Sequence, residues 1–327
     1  MKSAGTRSVR LPAYAKLNLG LRVLYKRPDG YHELRTVFQT ISLADRLEVA
    51  FTRGRTTRIR IDGTPEIKDN LVERAALLVM ESLSIHGDVH FILKKNIPSG
   101  AGLGGGSSDA AAVLLALPIL AGKGLPSGRL QAIAAQLGSD VPFFLHGGTA
   151  LGLGRGEELY PLPDVPAARG LLVLSGVHSS TVEAYLDLSS RLTSIPLQNK
   201  LNSFQREVWR GCADGRIKGS GVAVDDNDFE AVVFNRHPEL GKIKEQLQRY
   251  GAKPAAMTGS GSAIFGIFAK PAQLKRAAKS FPDNTVFPMS FISRAQYRSA
   301  WRRALKLHVE GTLWPPQSPY ARSQSAR

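Results

Sequence analysis

The residues best suited to chemistry in this chain lie in one glycine-rich run, Pro98-Ser99-Gly100-Ala101-Gly102-Leu103-Gly104-Gly105-Gly106-Ser107-Ser108-Asp109-Ala110-Ala111. Five of the seven residues from 100 to 106 are glycine. A backbone without Cβ atoms can close on an anion and aim successive N–H groups at it. Ser107 is placed to cap the alanine- and leucine-rich helix expected to start there, whose positive end favours phosphate. A merely flexible loop is the weaker reading, because so many glycines cost chain entropy on folding. No lysine follows the glycines, so the G-x-x-x-x-G-K-[ST] phosphate loop is absent. Gly100, Gly102 and Gly105 match G-x-G-x-x-G nominally, but no Asp or Glu lies between Ala110 and Ser139 to hold a ribose, which disfavours a dinucleotide fold.

Other candidates are more widely spaced. From Ala13 to Leu21 apolar residues take every odd position, which puts Lys16 and Asn18 together on the opposite face of a strand. Tyr31 and His32 follow the turn Arg27-Pro28-Asp29-Gly30 and are either ordinary strand residues or a stacking and hydrogen-bonding pair. Asp140, two residues before Pro142, is either the cap of a short helix or a reactive carboxylate. Thr258-Gly259-Ser260-Gly261-Ser262 is either a strand-entry turn or a second anion-facing loop.

The elements that must carry these groups are readable in outline. Residues 11–53 read as strands joined by the Arg27–Gly30 turn, and 69–86 as a helix with Asp69 or Asn70 as cap. A short strand over 89–93 precedes the glycine run, and a helix over 127–137 ends at Gly138. A second unit starts near 169 with a buried strand over 171–174. Helical segments near 181–190 and 228–250 follow, then a strand over 263–268. Strands and helices without a regular βαβ rhythm favour an α+β fold.

At 327 residues the chain is a little over twice the ~150-residue prior for one domain. The prolines Pro161, Pro163 and Pro166 place a boundary near 165, giving units at 11–165 and 166–290 after a flexible N-terminus of residues 1–10. The longest apolar run, 110–122, falls short of the ~20 residues of a spanning helix, and residues 1–20 lack the apolar core of a signal peptide. The single cysteine, Cys212, provides neither an internal disulfide nor a zinc cluster, and a cytoplasmic location is expected. Of the net charge of +16, three units come from residues 1–10 and a net six from 291–327. The body is therefore only moderately basic, which suits a polyanionic small substrate as readily as nucleic acid. An RNA-binding protein is the rival class, but no aromatic-basic cluster or RNA module is visible in the body. In the basic extension over 291–327, Tyr297, Trp301 and Leu305 recur every four residues, the pattern of an amphipathic helix docked on its own domain; from Trp314 the tail reads as disordered.

Three segments together resemble the GHMP kinase superfamily. The run 98–111 resembles its phosphate-binding motif, Ala13-Tyr14-Ala15-Lys16-Leu17-Asn18-Leu19 its N-terminal motif, and Met257-Thr258-Gly259-Ser260-Gly261-Ser262 its C-terminal glycine motif. Further stretches resemble the branch of the superfamily that acts on a cytidine diphosphate derivative of methylerythritol in non-mevalonate isoprenoid synthesis. They are Arg27-Pro28-Asp29-Gly30-Tyr31-His32-Glu33-Leu34, the triple-glycine Gly104-Gly105-Gly106-Ser107-Ser108-Asp109, Leu137-Gly138-Ser139-Asp140-Val141-Pro142-Phe143-Phe144 and Asn227-Asp228-Phe229-Glu230. The resemblance spans residues 11–290 and implies a two-domain α+β GHMP kinase fold with its site in the cleft between domains.

It further implies an ATP-dependent small-molecule kinase, monomeric or homodimeric, that needs neither nucleic acid nor membrane. In that reading Asp140 is the base and Lys16 its partner, with Asn18 orienting Asp140 and the acceptor. Tyr31 and Tyr185 sandwich the cytosine, His32 bonds its edge, and Thr181 contacts substrate phosphate or sugar. ATP is held by Asn70, Lys95, Pro98, Gly100, Ala101, Gly102, Leu103, Gly104, Gly105, Gly106, Ser107 and Ser108, with Gly259, Ser260 and Gly261 closing the cleft. Magnesium is expected, on Ser107 or Ser108 and the phosphates. Homoserine or mevalonate kinases are the alternative within the superfamily, though their acceptors carry no base for Tyr31 and His32.

Overall fold

The computed structural model describes residues 5–63, 69–189, 197–213 and 227–318. β1 (Arg7–Lys26) and β2 (His32–Arg53) form the antiparallel hairpin expected around the Arg27–Gly30 turn, with Gly30 at φ 86°. Arg7 already pairs with Phe51, so residues 7–10 belong to the sheet and not to a flexible N-terminus. β2 is the hub of six strands. Its second half pairs with β4 (Gly87–Lys94), which lies parallel to β3 (Arg58–Asp62). Its first half pairs with β5 (Thr149–Leu153), itself antiparallel to β6 (Glu158–Pro161).

On this sheet pack α1 (Leu71–Ser82), α2 (Gly105–Ala121), α3 (Ser127–Leu137) and the single turn α4 (Val141–Phe144). Every residue of α2 from Ser108 to Ala121 is buried, as a helix apolar on all sides must be. Among the described residues no helix is long and apolar enough to cross a membrane.

The second sheet, ordered β10-β7-β9-β8, is made of β7 (Arg169–Leu174), β8 (Ala255–Met257), β9 (Ile264–Phe268) and β10 (Thr285–Ser290). With it go α5 (Thr181–Ser189), α6 (Leu197–Ala213), α7 (Glu230–Arg236), α8 (Pro238–Arg249) and α9 (Pro271–Ala278). The helical segment expected over 228–250 is two helices. Pro238 has no N–H to continue the first, and the residue before it, His237, is driven out of the helical region to φ −131° and ψ 73°. Residue 190, at the end of the segment expected over 181–190, lies outside the described residues.

The two sheets share a core. Ala15, Leu17 and Leu19 on β1 pack with Leu172, Phe265 and Ile267 of the second sheet, so the odd-numbered face of β1 is interior as its period of two requires. On the even-numbered face Lys16 and Asn18 are buried as well, each 3% exposed.

The extension forms α10 (Arg294–Leu305), opened by a capping box between Ser293 and Gln296. Tyr297, Trp301 and Leu305 are its buried stripe, but they dock among Val9, Leu11, Phe143 and Phe144 of the first sheet's core, not on the second unit that α10 follows. Nor does disorder begin at Trp314: its Nε1 donates to Leu145 O at 2.8 Å, and Ser318 Oγ donates to Ile119 O at 3.1 Å. The rest of the tail expected to be disordered, 319–327, lies outside the described residues. Trp301→Ala is expected to lower stability by about 3–5 kcal/mol, the range for emptying a buried indole site. Denaturant melting checks it, and an unchanged midpoint would refute the docking of α10.

Candidate active site

β1 carries register irregularities between Tyr14 and Lys16 and again between Asn18 and Gly20. Such bulges re-aim side chains, and here they bracket Lys16 and Asn18. The Lys16 amide donates to Leu103 O at 3.0 Å, tying β1 directly to the glycine run. Its ammonium lies 3.2 Å from Asp140 Oδ2 and 2.7 Å from Asn18 Oδ1, and 5.4 Å from the centre of the Phe38 ring. A charge with its side chain only 4% exposed requires such partners.

Asn18 is fully engaged: its Nδ2 donates to Thr36 Oγ1, whose hydroxyl donates to Gly20 O, and its backbone N–H donates to Thr258 Oγ1. Its side chain orients Lys16 by accepting from the ammonium and makes no hydrogen bond to Asp140. Asp140 stands at the N-cap position of α4, yet its side chain makes no capping hydrogen bond. The carboxylate is therefore free to face Lys16, and with 32% exposure it is open to a cleft.

Lys16 and Asp140 line a cleft of about 610 Å³ between the two sheets. A second cleft of about 270 Å³ is walled by every residue from 97 to 107, together with Leu71 and Lys95. The two meet at Gly102, Gly104 and Ser107, which line both. α2 starts at Gly105 and is capped by Gly104 at φ 71°, not by Ser107, which sits inside the first turn. The amides of Gly105, Gly106 and Ser107 thus have no partner inside the helix. Gly102, at φ 76°, crosses under the second glycine motif so closely that a Cβ would lie 2.2 Å from Thr258 O.

Ser108 is 2% exposed and its Oγ has no hydrogen-bond partner. Of the C-terminal motif, Gly259 and Ser260 line the larger cleft; Gly261 turns away, its N–H bonded to Thr258 O.

The larger cleft is also lined by Tyr31, His32, Thr181 and Tyr185. The Tyr185 ring stacks on His32 at 4.8 Å and meets the edge of Phe229. Burial, with the Asp140 charge nearby, pushes its phenol up, so it stays neutral. Burial, with Lys26, pushes the His32 imidazole down. The Ser189 hydroxyl donates to Tyr185 O, so it accepts at 2.8 Å from His32 Nε2; by this assignment Nδ1 is left as an acceptor. Tyr31 is 53% exposed, with the Arg155 guanidinium 4.6 Å above its ring. Thr181 Oγ1 bonds Ser260 Oγ at 2.7 Å, linking α5 to the second glycine motif.

Two expected nucleotide residues have structural partners. Asn70 caps α1, its Oδ1 accepting from the Val72 amide at 3.0 Å, and it is not among the residues lining either cleft. Lys95 does line the smaller cleft, but its ammonium bonds Asp45 and, at 2.7 Å, Asp109. Burial works against this ammonium, yet the two carboxylates hold its pKa above the ordinary lysine value. Burial pushes the Asp109 carboxyl up to about 7 against the pull of Lys95.

Residues absent from the sequence-based set include Thr36, Ser139, Arg155 and Phe229, which line the cleft, and Thr258, which bridges Asn18 to the glycine run. Thr258 and Phe229 stand inside the recognised motifs; nothing local marks Thr36 or Arg155. Asn227 donates to Met257 O and Gly259 O, which explains why its motif accompanies the second glycine loop.

The sequence matches two family models, GHMP kinases N terminal domain over residues 70–148 and GHMP kinases C terminal over 212–285. It is 54% identical over 319 residues to 4-diphosphocytidyl-2-C-methyl-D-erythritol kinase of Solibacter usitatus, covering 96% of this chain and 98% of that protein. The enzyme of the same name from Geobacter metallireducens is 39% identical, over 85% of this chain and 96% of its own. A crystal structure of 4-(cytidine 5'-diphospho)-2C-methyl-D-erythritol kinase superposes with a TM-score of 0.71 at 35% identity, over 86% of this chain and 98% of that one. Homoserine kinase from Cytophaga hutchinsonii, at 18% identity and a TM-score of 0.66, shares the fold. With two clefts joined at a glycine loop, a buried ammonium–carboxylate pair at the junction and full-length relatives of one name, the chain belongs to the 4-diphosphocytidyl-2-C-methyl-D-erythritol kinase family of the GHMP kinases.

Proposed function

We propose that the enzyme transfers the γ-phosphoryl group of ATP to the 2-hydroxyl of 4-diphosphocytidyl-2-C-methyl-D-erythritol, giving the 2-phosphate and ADP. The observation that carries this reading is the junction of the two clefts at Gly102, Gly104 and Ser107, beside Lys16 and Asp140. Triphosphate in the smaller cleft, on the amides of 105–107, presents its terminal phosphorus at that junction. The acceptor alcohol reaches it from the larger cleft. Phosphoryl transfer through a loose transition state asks mainly for positioning and charge neutralisation. Asp140 accepts the hydroxyl proton as the new P–O bond forms and ADP leaves. Lys16, 3.2 Å from that carboxylate, orients it and offsets charge on the transferring group.

Magnesium fits the donors present. The buried Ser108 Oγ lacks a partner, while no group of three or more His, Cys, Asp or Glu that could hold a metal occurs among the described residues. Ser108, with Ser107, would hold the ion chiefly through the phosphates, where it would neutralise their charge. In the larger cleft Tyr31 and Tyr185 face the cytosine, and the free Nδ1 of His32 accepts from its exocyclic amine. A site built to bond those groups rejects analogues that leave them unpaired.

The deciding experiment is ADP release coupled to the cytidyl substrate, compared with homoserine and mevalonate. Equal rates on the plain alcohols would remove the cytosine reading. Tyr31→Ala is expected to raise KM for the cytidyl substrate about 10- to 100-fold with kcat within threefold, as the ~1–3 kcal/mol of one stacked base implies. An unchanged KM would show that Tyr31 does not meet the base.

A further inference from the structure

Asp140 begins α4, and α4 has four residues. So short a helix has negligible stability of its own, so its direction must be imposed by tertiary contacts. Its carbonyl end is received by chain that lies beyond the second family match, which stops at residue 285. The Tyr297 hydroxyl donates to Phe144 O at 2.5 Å, and Trp314 Nε1 donates to Leu145 O at 2.8 Å. These bonds satisfy carbonyls that a helix end otherwise leaves open.

The fit allows no slack: a Cβ on Gly147 would lie 2.4 Å from the Tyr297 ring, and one on Gly148 2.6 Å from Arg294 Cβ. On its other side the Phe144 ring presses on the phosphate loop, where a Cβ on Gly104 would lie 2.8 Å away. Phe144 is thus clamped between the C-terminal extension and the glycine that caps α2, one turn from the carboxylate.

We propose that Tyr297 and Trp314 are positioning residues that hold Asp140 in register with Lys16 by fixing the carbonyl end of α4. The inference rests on Asp140 being the base. It gives the extension a role in turnover beyond covering the first sheet: displacement of a reacting group by about 1 Å costs on the order of a hundredfold in rate, so a loosened α4 acts on kcat.

The test uses the full chain with Tyr297→Phe, which removes only the hydroxyl, and Trp314→Phe, which keeps an aromatic ring in the site and removes the indole N–H. Each variant is expected to lose about five- to twentyfold in kcat, with KM for both substrates within twofold and the stoichiometry of ATP binding unchanged. In an Asp140→Asn background the Tyr297→Phe change is expected to cost nothing further, because residues acting through one group are not additive. Unchanged kcat in both variants, losses that multiply with Asp140→Asn, or a fall in binding stoichiometry with full turnover per occupied site would each overturn the proposal. Should Tyr297→Phe melt at the assay temperature, Trp314→Phe in the same two backgrounds decides. Failure of the unaltered enzyme to phosphorylate the cytidyl substrate would instead overturn the reading of function, and near-normal turnover of Asp140→Asn the assignment of the base.

Discussion

Asp140→Asn is expected to lower kcat about a thousandfold, within the ~10²–10⁴ that a general base contributes, while KM for both substrates stays within about tenfold. The amide keeps the size of the side chain and can still meet the Lys16 ammonium at 3.2 Å through its oxygen. It cannot take up a proton, and it leaves a nearly buried ammonium without its counter-charge. A group used mainly in the transition state costs kcat and kcat/KM alike when removed. Steady-state kinetics by ADP release, with ATP affinity measured separately, checks this. Turnover above a tenth of the unaltered rate would return Asp140 to the role of a helix-capping residue, although in the structure its side chain makes no cap.

The second large effect is expected at Gly102. Gly102→Ala must place a Cβ 2.2 Å from Thr258 O, and at φ 76°, where side chains are disfavoured. The carbonyl is backbone, and Thr258 is held by Asn18, so the strain moves the first glycine loop away from the second glycine motif and from Lys16. A drop of about a hundredfold in kcat/KM for ATP is expected from a displacement of that size, with the melting temperature lowered as well. Gly128→Ala in α3, where a new Cβ meets nothing within 4 Å, serves as the control with activity unchanged. Equal activity of the two variants would show that the loop does not depend on its closeness to Thr258.

Local chemistry made much of this legible in advance. The alternation along 13–21 separated an apolar face of β1 from Lys16 and Asn18, because side chains of a strand alternate whatever lies around them. The Arg27–Gly30 turn, the stop at Gly138 and the buried stripe Tyr297-Trp301-Leu305 follow from backbone preferences and period in the same way. Ser107 misled because serine is a common cap, whereas Gly104 reaches the left-handed cap conformation without strain and leaves the loop free to bend. Pro238 was a visible break in the helix expected over 228–250.

What no local pattern could supply is which distant segments meet. Asn18 and Thr258 are 240 positions apart, and the polarity of each says nothing about the other until the two sheets close on their shared core. Asn70 and Lys95 show the converse, since residue types suited to a nucleotide are taken up by a helix cap and by two carboxylates. The amphipathic period of α10 required a partner without naming it, because any apolar surface satisfies a stripe of Tyr, Trp and Leu. The sequence by itself determined the glycine run, the alternating strand and the residue types that could do chemistry. The tertiary structure alone decided that Lys16 faces Asp140, and that the last helix lies against the turn carrying it, because approach across the chain is set by packing of the whole core and by no neighbouring residue.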